Sequence, residues 1–179
     1  MRILHFLLFI ILTSSFTSCL ESRFEEPDFF IDGMKPVYAI DDTWKIIKSE
    51  GPREVQNLGR IYIKDHLLFL VDNSLGVHVI DNTDPDYPIS LFFIVIPGCM
   101  DISIKNQILY ADNYRDLVSI DISDLNNVSV VERLTDFYAQ GQTYFPENYS
   151  GYFECVDDHA GIVLGWEFAE LMNPKCNVN

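Results

Sequence analysis

The sequence predicts an all-β fold, a series of four-stranded antiparallel units preceded by a short helix, and three observations support this. First, Val71–Pro85 lies over Ala111–Leu125 without a gap at a displacement of 40 residues, and a shorter third copy, Val156–Leu164, follows 45 further on. Self-similarity at such a period is the mark of repeated supersecondary units. Second, the copies contain short β-branched and aromatic runs bounded by turn residues, as strands are. Third, 48% apolar and 13% aromatic residues in 179 provide material for a packed core, and only 22% are charged, which excludes a disordered chain.

The elements follow in order. Asp41-Asp42-Thr43 before Trp44-Lys45-Ile46-Ile47-Lys48 reads as an N-cap and a two-turn helix stopped by Gly51-Pro52, with Trp44 packed on the first unit. Tyr62–Leu68 resembles Ser103–Leu109 with a one-residue slip, and supplies the first strand of each unit. Leu67–Asp72 and Val77–Asp81 are the second and third strands, reversed by Asn73–Gly76, where Asn and Gly suit a hairpin. Asp81 and Asp121 stand two residues before Thr83 and Ser123, the spacing of side-chain-capped turns, and Ile89–Ile96 and Val128–Leu134 are the fourth strands. Asp72, Asp112 and Asp157 are expected at equivalent corners of successive units.

Four strands per period of about 40 residues is the blade of a β-propeller. Runs such as Leu67-Leu68-Phe69-Leu70-Val71 suit sheets covered on both faces. Domain boundaries follow: a leader at 1–18, a tether and lead-in at 19–58, repeats at 59–97 and 98–136 with a partial one at 152–167, and a tail at 168–179. That is about two and a half blades, whereas rings typically have about 4 to 8. The incomplete propeller is then a shortened form of a longer ancestor, a chain that completes its sheets by self-association, or a smaller stack of sheets. A β-sandwich is the rival architecture.

The N-terminus carries an address. Arg2 precedes the apolar run Ile3–Leu12 and the small polar run Thr13–Ser18, the layout of a secretory leader too short to span a bilayer. Phe16-Thr17-Ser18-Cys19 resembles the bacterial lipobox, which implies lipidation at Cys19, a membrane anchor, and a place in the cell envelope as an outer-membrane lipoprotein. Glu21, Glu25, Glu26 and Asp28, with Arg23 alone against them, form either a solvated tether or the acidic export signal of lipoproteins that reach the cell surface. Three cysteines remain. An oxidising envelope permits disulfides, and of three pairings Cys155 with Cys176 is the one expected, with Cys99 left as a buried thiol.

Leu117-Val118-Ser119-Ile120-Asp121-Ile122-Ser123-Asp124 resembles the signature of the LVIVD-repeat bacterial lipoproteins, and Val77–Pro85 is similar to the same signature with its proline in place. Gly33–Tyr38 is similar to the entry segment of that family. In this chain Leu125 stands in the place of the proline, and Trp166 in that of the strand-ending Asp of the third copy. The resemblance implies a β-propeller-like envelope protein, of which this chain is a short member.

Twelve basic against 27 acidic residues, a net charge of −15, exclude nucleic acid as a partner, since counterion release needs clustered Lys and Arg. There is no GxSxG, GxGxxG or GxxxxGK[ST], and no CxxC or HxxxH metal spacing. No cofactor is expected beyond a candidate Ca²⁺, for which Asp72, Asp112 and Asp157, joined by Asp81 and Asp121, would have to converge at one end of the sheets. Asp157-Asp158-His159 reads as a repeat turn before it reads as an acid–base pair, and His78 as an imidazole packed within a strand. The segment Phe137–Phe153 is a loop rich in aromatics, and Tyr144, Phe145, Tyr149 and Tyr152 are the expected contacts to a protein or glycan. The expected role is a non-catalytic binding or scaffold module. The alternative is a hydrolase or lactonase-like propeller enzyme with an acidic mouth.

Overall fold

The computed structural model describes residues 28–138 and 144–179. Three sheets contain all thirteen strands found in these residues. Sheet I takes β2 (Lys48–Glu50), β3 (Leu58–Lys64), β4 (Leu67–Asp72), β5 (Gly76–Asp81) and β6 (Ile89–Val95), in the order β2-β6-β5-β4-β3. Sheet II takes β7 (Ile102–Lys105), β8 (Ile108–Asn113), β9 (Asp116–Asp121) and β10 (Ser129–Leu134), in the order β10-β9-β8-β7. The terminal sheet joins β1 (Phe30–Tyr38) to β11 (Gly151–Phe153), β12 (Val163–Met172) and β13 (Cys176–Val178), in the order β12-β1-β11-β13.

Four strands of sheet I and the four of sheet II share their pairing and one irregularity. Ile61 pairs with Leu70 as Ile102 pairs with Ala111, and Val77 pairs with Ile94 as Leu117 pairs with Leu134. Leu91 is the extra residue of a β-bulge in β6, and Val131, 40 residues on, is the extra residue of a bulge in β10. Turn chemistry repeats as well. Asp81 Oδ1 accepts the Thr83 N–H at 2.8 Å and Asp121 Oδ1 accepts the Ser123 N–H at 2.8 Å, while Asp84 and Asp124 accept from Asp86 and Asn126. These bonds hold the Asp81 carboxyl below the ordinary carboxylate range, through the Thr83 hydroxyl and then its amide, and the Asp121 carboxyl likewise through Ser123.

Side chains alternate across a strand, so each sheet presents two faces. The inner face of sheet I carries Phe69, Val71, Val77, Val79 and Ile94; the inner face of sheet II carries Ile102, Ile104, Leu109, Ala111, Val118 and Ile120. Together they form one buried core with Ile96, Cys99, Ile122 and Val128. At one edge β3 approaches β7, and the Tyr62 hydroxyl donates to the Ile104 carbonyl at 3.1 Å. Gly76, at φ +144°, is required at the start of β5, because a Cβ there would enter the carbonyl of Ile94.

Four expectations are corrected. The two-turn helix is a single 3-10 turn, Thr43–Lys45, after which the chain turns extended at Ile46 and joins sheet I as β2. Its β-branched Ile46-Ile47 and the partners waiting on β6 favour the strand. Trp44 is buried against sheet II rather than the first unit, with its ring edge-on to Tyr114 at 6.0 Å and its carbonyl accepting from Asn113 Nδ2 at 3.1 Å. The third copy is not a strand hairpin: residues 154–162 contain no strand, and Asp157 lies in an exposed turn, accepting the His159 N–H at 2.9 Å. The segment set apart as a tail at 168–179 completes β12 and forms β13. Here β1 runs antiparallel to β12 from Phe30↔Met172 to Tyr38↔Val163, so pairing from the far end of the chain decides the structure of this region. Gly33 in β1 admits that close packing, since a Cβ would lie 2.5 Å from both the Leu171 side chain and the Tyr152 carbonyl.

Candidate functional site

The gapless match of Val71–Pro85 to Ala111–Leu125 conceals a slip. Asp72 pairs with Gly76 across a three-residue turn, whereas Asn113 pairs with Asp116 across a two-residue turn. The second hairpin is one residue shorter, so Asp72 corresponds in space to Asn113, and Asp112 to Val71. A one-residue slip reverses every side chain, and Asp72 and Asp112 occupy faces that do not correspond in the two sheets, rather than equivalent corners.

Asp72 sits on the outer face of sheet I and is fully buried. Its carboxylate accepts the Asn57 N–H at 2.7 Å and the Gln56 N–H at 3.1 Å, and lies 3.1 Å from His78 Nε2. The His78 ring rests edge-on against Phe93 at 4.7 Å, and the Arg53 guanidinium lies over the Phe93 ring, 3.5 Å from its centre. Burial alone would raise the Asp72 pKa; the His78 bond and the two amides overcome it and hold the carboxyl below its ordinary value. The arrangement has a local logic. The lead-in strap at residues 51–57 crosses the end of the sheet, and its backbone donors need an acceptor where water is excluded.

On sheet II the corresponding corner is filled differently. Arg133 stands where Phe93 stands in sheet I. It donates to Asp116 Oδ2 at 2.8 Å, to Asn113 Oδ1 and to the Lys45 carbonyl at 3.0 Å, beside the Trp44 ring. Asn113 and Asp116 are buried and satisfied by this network. Asp112, on the outer face, accepts the Asp101 N–H at 2.8 Å and the Met100 N–H at 3.0 Å. Burial exceeds these bonds and pushes its carboxyl above the ordinary value. Cys99 is a buried free thiol beside it, raised strongly by burial and then by the Asp112 charge.

The carboxylates offered as a Ca²⁺ cradle do not converge. Asp72 and Gly76 mark one end of the β4–β5 hairpin and Asp81 the other, about 17 Å away at ~3.3 Å per residue. Asp121 occupies the same far end of sheet II, and Asp157 is in the loop before β12. Among the described residues no group of three or more His, Cys, Asp or Glu is placed to hold a metal. His66 and His159 are exposed, and no imidazole–nucleophile hydrogen bond is found among the described residues.

The four aromatic residues expected to make contacts have different local partners. Tyr152 lies within β11, and the Tyr149 hydroxyl is spent on the Tyr152 carbonyl at 3.1 Å. Tyr144 lies against the Arg115 guanidinium, which Asp136 also holds, and Phe145 is partly exposed. Sequence reading missed Phe168, 78% exposed on β12 and edge-on to Tyr149 at 6.2 Å. Its place on a strand, beyond the expected end of the repeats, gave no signal. Nearby, a disulfide joins Cys155 to Cys176, and an open hollow of about 400 Å³ is bordered by Glu154, Glu170, Met172 and Lys175. Cys19 and the leader lie outside the described residues. No protein-family model, curated protein or solved structure matches the chain.

Proposed function

We propose that this chain is a lipid-anchored module of the bacterial cell envelope, built from two propeller-like blades, that binds or scaffolds a partner without catalysis. The observation that carries the blade reading is the matching pairing of four strands in sheets I and II, with one β-bulge and the capped turns in common and inner face packed on inner face. The adjacent first strands β3 and β7 suit the innermost positions of neighbouring blades. The anchor reading rests on the leader and Cys19 in the sequence, and the LVIVD resemblance on residues 77–85 and 117–124. Tyr149 with the exposed Phe168 is the contact patch this reading favours, because an aromatic ring held on a strand offers area at low entropic cost.

The test is made in a bacterium with an outer membrane. The chain is expected in the membrane fraction, with an intact mass that starts at Cys19 and includes acyl chains, and Cys19→Ser is expected to release it. A soluble, unacylated wild type would overturn the anchor reading. Calcium chelation is expected to leave the thermal midpoint unchanged; a large fall would favour the acidic-mouth alternative.

A further inference from the structure

The two equivalent sheets differ most in what covers them. Ile102 and Ile104 on β7 are 9% and 8% exposed, because the inner face of sheet I lies on them. Their counterparts on β3, Ile61 and Ile63, are 55% and 66% exposed. They share the outer face of sheet I with Leu68 and Ile80, the counterparts of Leu109 and Ile120, both fully buried in sheet II. The chain thus keeps a set of interface residues at a face that nothing among the described residues covers. The strap at 51–57 protects only the Asp72 end.

The internal interface shows what such a face receives: the side of a neighbouring unit that carries Phe69, Val77 and Ile94. Among the described residues, sheet II presents that side only partly covered. Its outer face has Tyr110, Leu117 and Leu134 at the three corresponding positions, and Tyr110 and Leu134 are exposed. Among the described residues, each chain therefore has one face of each kind with no sheet packed on it. We propose that a second copy of this chain supplies the cover, sheet II of one copy docking head-to-tail on sheet I of the next, so that the stack closes into a ring. Two copies bring four blade-like units, the small end of the typical ring of about 4 to 8, and a heterologous contact of this kind forms a ring when its rotation closes.

Charge at the shared edge agrees. Arg60 on β3 pairs with Asp101 at 2.6 Å, and these two residues occupy the same position in successive units. Head-to-tail docking sets Asp101 of one copy beside Arg60 of the next, so opposite charges alternate around the ring. Asp112, Ser119 and Glu132 replace Val71, Val79 and Phe92 on the docking face, and make this contact more polar than the internal one. The assembly is accordingly concentration-dependent. The inference rests on the blade reading for how the faces mate.

Sedimentation velocity of the full chain, held in mild detergent so that residues 1–27 do not drive association, tests it. A reversible oligomer is expected in the micromolar range. Ile63→Lys and Leu134→Lys, on exposed positions of the two faces, are each expected to weaken association at least tenfold, whereas Ile40→Lys, 97% exposed and off both faces, leaves it intact. An equimolar mixture of the Ile63→Lys and Leu134→Lys chains retains one good pair of faces and is expected to form an open dimer. A wild type monomeric at 100-fold higher concentration would overturn the proposal, and slow amide exchange along β3 in that monomer would give the face to residues 1–27 of the same chain. Association lost in Ile63→Lys but kept in Leu134→Lys would also overturn it, in favour of a symmetric face-to-face dimer. The blade reading fails separately: it requires Val79→Lys, at the internal interface, to unfold the chain whether or not copies associate.

Discussion

Asp72→Ala removes one buried carboxylate and leaves three donors without an acceptor: the Gln56 and Asn57 amides and the His78 ring nitrogen. A buried donor left unsatisfied costs about 1–3 kcal/mol. Water can reach the strap amides once the side chain is shortened, so the lower end applies to them, and the sum is about 3–5 kcal/mol. That is a large part of the ~5–15 kcal/mol that holds a domain together. Urea unfolding followed by tryptophan fluorescence reads it. With a slope of about 1–3 kcal/mol per molar, the midpoint falls by roughly 1–5 M. Asp112→Asn is the internal control, because that carboxylate is only half-buried, its charge is opposed by burial, and asparagine retains an acceptor for the Asp101 amide. It is expected to cost under ~1 kcal/mol at pH 7. The pH dependence separates them further. The Asp72 pKa is lowered in the folded state, so its stabilisation is complete above the unfolded value of 3.8 and is lost as pH falls through the folded value. The Asp112 pKa is raised, so the folded state is penalised at neutral pH and relieved as pH falls toward 3.8. Equal costs for the two substitutions, or an Asp72→Ala loss below ~0.5 kcal/mol, would refute the assignment of Asp72 as the anchor of the strap.

Arg133→Ala leaves Asp116 and Asn113 buried without their main donor, and is expected to cost about 3–5 kcal/mol; Arg133→Lys recovers only part, since one ammonium does not reach Asp116, Asn113 and the Lys45 carbonyl together. A calorimetric midpoint unchanged in Arg133→Ala would contradict the network. Cys155→Ser with Cys176→Ser opens a loop of 21 residues, worth about 3 kcal/mol in the chain-entropy model, and limited proteolysis is expected to cut first in residues 154–162. Cys99 is expected to resist a thiol reagent in the native protein and to react on unfolding, because burial keeps its thiol protonated; rapid native labelling would contradict its placement.

What was legible in the sequence was local. The strands of sheets I and II, their capped turns at Asp81 and Asp121, and their 40-residue period follow from side-chain size, β-branching and turn chemistry, properties that each short segment carries by itself. Cys155 and Cys176 stood out for the same reason, as two cysteines a moderate loop apart. The site was less legible. A gapless match put Asp72 with Asp112, and one residue fewer in a hairpin set them on faces that do not correspond. Such a slip leaves composition and spacing almost untouched and changes every contact.

By itself the sequence determined an acidic, all-β chain with two like units. Tertiary structure alone decided that Phe30–Tyr38 pairs with Val163–Met172, that the third copy becomes a turn before β12, that Trp44 joins sheet II, and that Ile61 and Ile63 are uncovered where Ile102 and Ile104 are buried. The physical reason is common to all four. Strand pairing and face burial are bought with contacts between residues far apart in the chain, and an isoleucine in a strand has the same local preference whether or not another sheet lies on it.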